Sequence, residues 1–142
     1  MEFDGMAFGA MRERTSPVKP RPAVDGGAGS MKPDDQERRL TTILAADVVG
    51  FSRLMNADES GTLTALKAHR KELIEPKSQR YGGRTVKLMG DGTLMEFASV
   101  VDAVLFAVEV QCAMRERNAD VPEERRIVYR IGINIGDIIV EG

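Results

Sequence analysis

The chain has 142 residues, enough for one domain, and its 20 Lys+Arg against 22 Asp+Glu leave a net charge of −2. That balance excludes a global basic surface holding nucleic acid by its phosphates. The lone cysteine, Cys112, excludes an intramolecular disulfide and a cysteine-rich zinc site, and fits a reducing compartment.

A hydrophobic fraction of 42% is sufficient for a packed core. No apolar run approaches the length that spans a bilayer. The start, "MEFDGMAFGAMRERTS", lacks the basic opening and apolar segment of a secretory signal. The chain therefore reads as cytoplasmic, with neither membrane nor nucleic acid as partner.

Residues 1–36 are rich in Pro, Gly and charge and offer little to bury, so they are expected to form a disordered tail. Met31 opens an alternative start within it. Beyond the tail, "LTTILAADVV" is a β-branched and apolar run, the pattern of a buried strand. The stretch from Phe51 to Gly83 reads as helix, with Leu63, Leu66, Leu73 and Ile74 on one face and Arg70 intruding into that stripe. Pro76 should kink or end it, and Gly82–Gly83 should stop it.

"RTVKLMGDGTLMEF" reads as two strands around an Asp91-Gly92 turn. A helix follows, opened by a capping-box-like Ser99 and Asp102. It carries one apolar stripe of Val101, Val104, Leu105, Val108 and Cys112, and another of Phe106, Val110 and Ala113. A helix apolar on both sides needs cover beyond its own sheet. The stripe makes Cys112 a core residue. After a solvated "PEERR" loop, Ile127, Tyr129, Ile131, Ile133 and Ile135 alternate as in a half-buried strand, and a turn is expected near Gly136-Asp137. An uncovered final strand is an aggregation hazard. The order β-α-β-β-α-β predicts an α+β fold of the ferredoxin-like or palm type.

Two acidic residues stand out. Asp47 closes the first strand, and Asp91 tips the central hairpin; in a split βαβ layout those strands can be neighbours. Two adjacent carboxylates repel, and a divalent cation between them removes that cost. Mg²⁺ suits one or two carboxylates completed by substrate phosphates, and a pair of metals could activate an attacking oxygen and stabilise a leaving one. The Val48 carbonyl is a further candidate oxygen. Gly50 admits close backbone approach, and the amides of Gly50, Phe51 and Ser52, leading into a helix, form a potential phosphate cradle. Each aspartate taken singly is better served by a structural role, Asp47 as a helix cap and Asp91 as a turn former; it is the two together, with the glycine-containing loop, that point to a site. The sole histidine, His69, has no Ser/His/Asp constellation to join.

"RRLTTILAADVVGFSRLM", "GGRTVKLMGDGTLMEF" and "YRIGINIGDIIVEG" together resemble the class III adenylate/guanylate cyclase catalytic domain, of the bacterial adenylate cyclase type, from about Arg38 to Gly142. The resemblance implies an incomplete nucleotidyl cyclase domain over 37–142 that converts ATP to cyclic AMP and pyrophosphate with two Mg²⁺ or Mn²⁺ ions. It implies Asp47 and Asp91 as metal ligands assisted by Val48, and Val49, Gly50, Phe51 and Ser52 as the triphosphate loop. It implies Lys87 as the base reader: an ammonium donates to adenine N1, whereas guanine N1 carries a hydrogen and calls for an acceptor. It further implies a homodimer whose composite site takes the aspartates from one chain and Lys87 from the other. The family's next blocks, with a second base reader and the Asn and Arg of the transition state, are absent after "GDIIVEG", so the chain is expected to be inactive alone. The alternative is a non-catalytic cyclase-like module that dimerises or regulates. A diguanylate-cyclase-like palm lacks its "GGDEF"-type turn here.

Overall fold

The computed structural model describes residues 37–140. The tail expected over 1–36 lies outside the described residues. The chain runs β1 (Glu37–Val48), α1 (Phe51–Ala57), α2 (Glu59–His69), a π-turn (Arg70–Ile74), α3 (Glu75–Arg80), β2 (Arg84–Met89), β3 (Gly92–Phe97), α4 (Val100–Asn118) and β4 (Tyr129–Val140). The four strands form one sheet in the order β2-β3-β1-β4. Every neighbouring pair is antiparallel. This is the ferredoxin-like arrangement expected from the element order.

Pairing register decides which side chains face the helices. Thr42, Leu44 and Ala46 of β1 stand opposite Phe97, Met95 and Thr93 of β3, and opposite Ile135, Ile133 and Ile131 of β4. Leu44, Met95 and Phe97 from this sheet face join Leu54, Leu73, Phe106 and Val110 from the helices in a single core. The Phe97 and Phe106 rings meet with centroids 5.2 Å apart and planes inclined by 43°. Both are almost fully buried, so each supplies a large share of the apolar area removed from water. Gly83 is required beside them: a Cβ there would come within 2.6 Å of the Phe97 ring.

Several expectations need correction. The first helical stretch is broken at Asp58, whose φ of −159° ends α1 and whose side chain caps α2 by accepting the Gly61 N–H at 2.9 Å. Pro76 does not end the helix. The turn before it widens instead, and the Glu75 N–H bonds to the Arg70 carbonyl in π fashion. Pro76 then falls in the first turn of α3, where its missing N–H costs least. Gly82 does take the left-handed conformation, at φ 66°. The hairpin turn sits one residue earlier than predicted, at Gly90-Asp91, with Met89 paired to Gly92 and Gly90 at φ 56°.

On α4 the two apolar sides are resolved in favour of Ala103, Phe106, Ala107, Val110 and Met114, which face the sheet. Val101, Val104, Leu105 and Val108 stay exposed. Cys112 is exposed too, not core. Leu63 likewise faces outward. No turn interrupts β4 at Gly136-Asp137; both residues remain in the strand, paired with Thr41 and Leu40 of β1. The reason is the length of β1, which offers ladder partners as far as Val140.

The sheet face away from the helices carries one buried charge. Glu96 on β3 is 7% exposed and binds Arg84 at 2.5 Å, Thr41 at 3.0 Å, and Arg39. The Arg84 hydrogen bond, with smaller help from Thr41 and the Arg39 charge, holds its carboxyl below the ordinary 4.5 against the opposing effect of burial. A lowered carboxylate pKa stabilises the fold above the unfolded value and is lost as pH falls through the folded one. Glu96→Gln should therefore melt at a lower temperature than the parent at neutral pH, with the gap closing below pH 4.5 in a calorimetric pH series. Phe97→Ala should cost about 3–5 kcal/mol in denaturant unfolding, the range for emptying a buried aromatic site.

Candidate active site

The site is built where β1 runs out. Val48 ends the strand, Val49 and Gly50 turn the chain, and α1 starts at Phe51. Gly50 adopts φ 64°, ψ 34°, the left-handed conformation that spares a residue without Cβ. Asp47 provides no cap to α1, whose N-cap is Gly50 with no side-chain bond. The helix-capping role open to it from sequence is therefore not the one it takes.

Asp91 folds over the end of β1 from the β2–β3 turn. Its Oδ2 accepts the Val48 N–H at 3.3 Å. This contact sets the Asp91 carboxylate beside the residue that follows Asp47, although 43 positions separate Val48 from Asp91 in sequence. The Asp91 turn thus lies against the end of β1 that carries Asp47.

Sequence reasoning did not find the third member of the site. Arg130 on β4 is the register partner of Asp47, and it grips that carboxylate with both prongs of its guanidinium, Nε–Oδ1 at 2.8 Å and Nη2–Oδ2 at 2.9 Å. The hydrogen bond and charge of Asp47, and more weakly the charge of Asp91, push the Arg130 pKa up. A lone arginine in an alternating strand looks solvated; the available signal was its place at the polar end of an otherwise isoleucine-rich run.

The other predicted residues divide. The Val49 N–H is already bonded to the Val128 carbonyl at 2.8 Å, so Val49 has no amide to offer a ligand. Gly50, Phe51 and Ser52 stand at the start of α1, where amides have no partner within the helix. Arg53 lies beside Gly50 and reaches the Glu124 carbonyl at 3.0 Å. Lys87 is paired with Leu94, Leu94 with Ala45, and Ala45 with Gly132. That row places Lys87 on the same open face as Asp47, about 10 Å across the strands. Lys87 makes no ion pair among the described residues.

The donors gathered here are hard oxygens: two carboxylates and the Val48 carbonyl. No group of three or more His, Cys, Asp or Glu that could hold a metal occurs among the described residues. The set fits a hard divalent ion such as Mg²⁺ or Mn²⁺ that takes its remaining ligands from phosphates and water, and it does not suit Zn²⁺. Gly50→Ala should lose about 1–2 kcal/mol in urea unfolding, the cost of a left-handed residue bearing a Cβ, with Gly50→Asn losing less.

No family model matches the chain. A curated protein of Rhizobium meliloti (strain 1021), named "Putative adenylate cyclase 3", is 51% identical over 111 residues, covering 78% of this chain and 19% of that protein. The crystal structure of an adenylate/guanylate cyclase/hydrolase from Silicibacter pomeroyi superposes with a TM-score of 0.69 at 50% identity, over 75% of this chain and 62% of that one. The guanylyl cyclase Cya2 gives a TM-score of 0.64 at 28% identity, over 75% and 58%. The chain thus spans less than two thirds of the length of these relatives. With the three sequence blocks, the sheet order and these similarities in agreement, the chain belongs to the class III adenylate/guanylate cyclase catalytic-domain family.

Proposed function

We propose that residues from 37 onward are the amino-terminal part of an adenylate cyclase catalytic domain that converts ATP to cyclic AMP and pyrophosphate for signalling. The observation that carries this reading is the Asp91 carboxylate bonded to the amide next to Asp47. A divalent cation would serve both carboxylates, and Arg130 serves Asp47 in its absence.

Asp47, Asp91 and the Val48 carbonyl would hold two Mg²⁺ or Mn²⁺ ions. Such ions, when bound, supply the positive charge that favours attack of the ribose 3′-hydroxyl on the α-phosphate and departure of pyrophosphate. The amides of Gly50, Phe51 and Ser52 donate to phosphate oxygens; Val49 contributes only the shape of the loop. With a metal held by Asp47, Arg130 would be free to bind polyphosphate oxygens, for which a planar fork is the fitting partner. Lys87 donates to adenine N1, and its ammonium disfavours guanine.

A homodimer fits the surface. The helices cover one face of the sheet only, and Ala45, Lys87, Arg130 and Gly132 lie exposed on the other. A second copy laid on that face brings the Lys87 of one chain towards the aspartates of its partner, giving two equivalent sites. No described helix is long and apolar enough to cross a membrane, which is compatible with a cytoplasmic site of action.

Charge developing at the α-phosphate needs a positioned donor, which this reading assigns to blocks that lie downstream in the family. The chain alone is therefore expected to turn over little. The Asp47–Arg130 pair gives weight to one competing reading, a cyclase-like module that only dimerises, because it satisfies Asp47 without metal.

The decisive experiment supplies ATP and Mn²⁺ to the protein extended with those later blocks and measures cyclic AMP by chromatography. The extended protein should form it. Asp47→Asn and Asp91→Asn should each lower turnover by about 10²-fold or more, the scale of losing one electrostatic stabiliser. Lys87→Glu should erode the preference for ATP over GTP. No product from the extended protein, or unchanged turnover in the aspartate variants, would overturn the assignment.

A further inference from the structure

His69 is the chain's only histidine. It closes α2, immediately before the π-turn, and its side chain is half-buried. Its Nδ1 is buried and has no hydrogen-bond partner among the described residues. Buried polar atoms without a partner are few in folded proteins, and each calls for a reason. The imidazole meets Tyr129 edge-on, with ring centroids 6.5 Å apart and planes inclined by 68°. From α4 it faces Arg117, and from the π-turn Glu72; these two are joined to each other at 3.1 Å. From β4 it faces Tyr129, on which the charges of Arg70 and Arg117 also act.

A neutral imidazole tolerates this setting. With its proton on Nε2, Nδ1 is only an idle acceptor. A second proton would make Nδ1 a buried, charged donor with nothing to receive its hydrogen, near the Arg117 charge. Burial above all, then Arg117, pushes the His69 pKa below its ordinary 6.5, against the pull of Glu72. The unfolded chain therefore takes up the proton first. The stability conferred by the neutral ring is complete above pH 6.5 and is lost as pH falls below it.

Tyr129 carries the consequence to the site. It is 8% exposed, opens β4 and is the ladder partner of Val48. Its carbonyl accepts the Gln111 side-chain amide at 2.8 Å. The residue before it, Val128, accepts the Val49 N–H, and the residue after it, Arg130, clamps Asp47. His69 thus braces the point from which the loop and the clamp both hang.

We propose that His69 is an acid-sensitive positioning residue: its neutral ring seats Tyr129 against the helices, and its protonation unseats the start of β4, loosening the hold of Val128 on Val49 and of Arg130 on Asp47. The device needs neither metal nor nucleotide. It acts in mild acid, where ordinary carboxylates are still ionised and thiols and lysines still protonated.

The test is a titration of the full chain from about pH 7.5 to about pH 5, followed by NMR and by thermal melting. One histidine gives one ring signal. Its midpoint should lie below 6.5, and the amide shifts of Val48, Val49, Val128 and Arg130 should follow the same curve. The melting temperature should fall by roughly a few degrees towards the acid end. His69→Phe keeps a ring and cannot take a proton; its melting temperature and those amide shifts should hold steady across the range. His69→Gln should also hold steady, from whatever stability it starts, so a poorly folded phenylalanine variant leaves the question decidable. Arg117→Met removes the charge that opposes the proton and should raise the midpoint of the ring signal. A midpoint at or above 6.5, or a melting temperature that falls in both His69 variants as it does in the parent, would overturn the acid sensitivity assigned to His69. Amides of Val49 and Arg130 that ignore the titration of the ring would overturn its positioning role.

Discussion

A carboxylate that reaches across a sheet to the last amide of a neighbouring strand holds this site together. Asp91 can accept the Val48 N–H only if β3 lies antiparallel against β1 in the observed register, and only if the hairpin turn falls at Gly90-Asp91. The register in turn depends on the core. Leu44 opposite Met95 and Thr42 opposite Phe97 put the large side chains on the helix face. A slip by one residue would turn them to solvent and carry Asp91 away from β1. The packing of Phe97 on Phe106 and the placement of the acidic pair are therefore one constraint seen at two ends of the same strand.

The open face shows the complementary logic of charge. The sheet leaves one side without helices, and two carboxylates there are paired with arginines across strands. Glu96 is held between Arg39 and Arg84 at one end, and Asp47 is clamped by Arg130 at the other. The first cluster is nearly buried at its carboxylate and has every reason to be structural. The second is about half exposed, so its pairing contributes little to stability and is easily exchanged for another cation. A difference in burial separates a brace from a site.

Much of this was legible in the residues. Asp47 and Asp91 stood out because each interrupts an apolar pattern at the end of a strand, where a bare carboxylate has no packing role. The strands and the second long helix followed from periodicity. What escaped had identifiable causes. Both sides of α4 are apolar, so period alone could not say that Phe106 and Val110 face the sheet while Val104 and Leu105 face outward. Cys112 was placed inside by the same ambiguity. Gly136-Asp137 has the composition of a turn, but β1 is long enough to keep it in the ladder. Pro76 was expected to break the helix; the chain absorbed it by widening the preceding turn. Arg130 was invisible as a site residue because a single cation signals nothing until its neighbours across the sheet are known.

The account stands on the two aspartates sharing divalent cations beneath a triphosphate. The most direct measurement of that is paramagnetic broadening in amide NMR spectra of the ¹⁵N-labelled chain on addition of Mn²⁺ with ATP. Resonances of Asp47 to Ser52 and Gly90 to Gly92 should broaden first and together, those of the Glu96 cluster hardly at all. Broadening centred elsewhere, or reaching one aspartate and sparing the other, would contradict it.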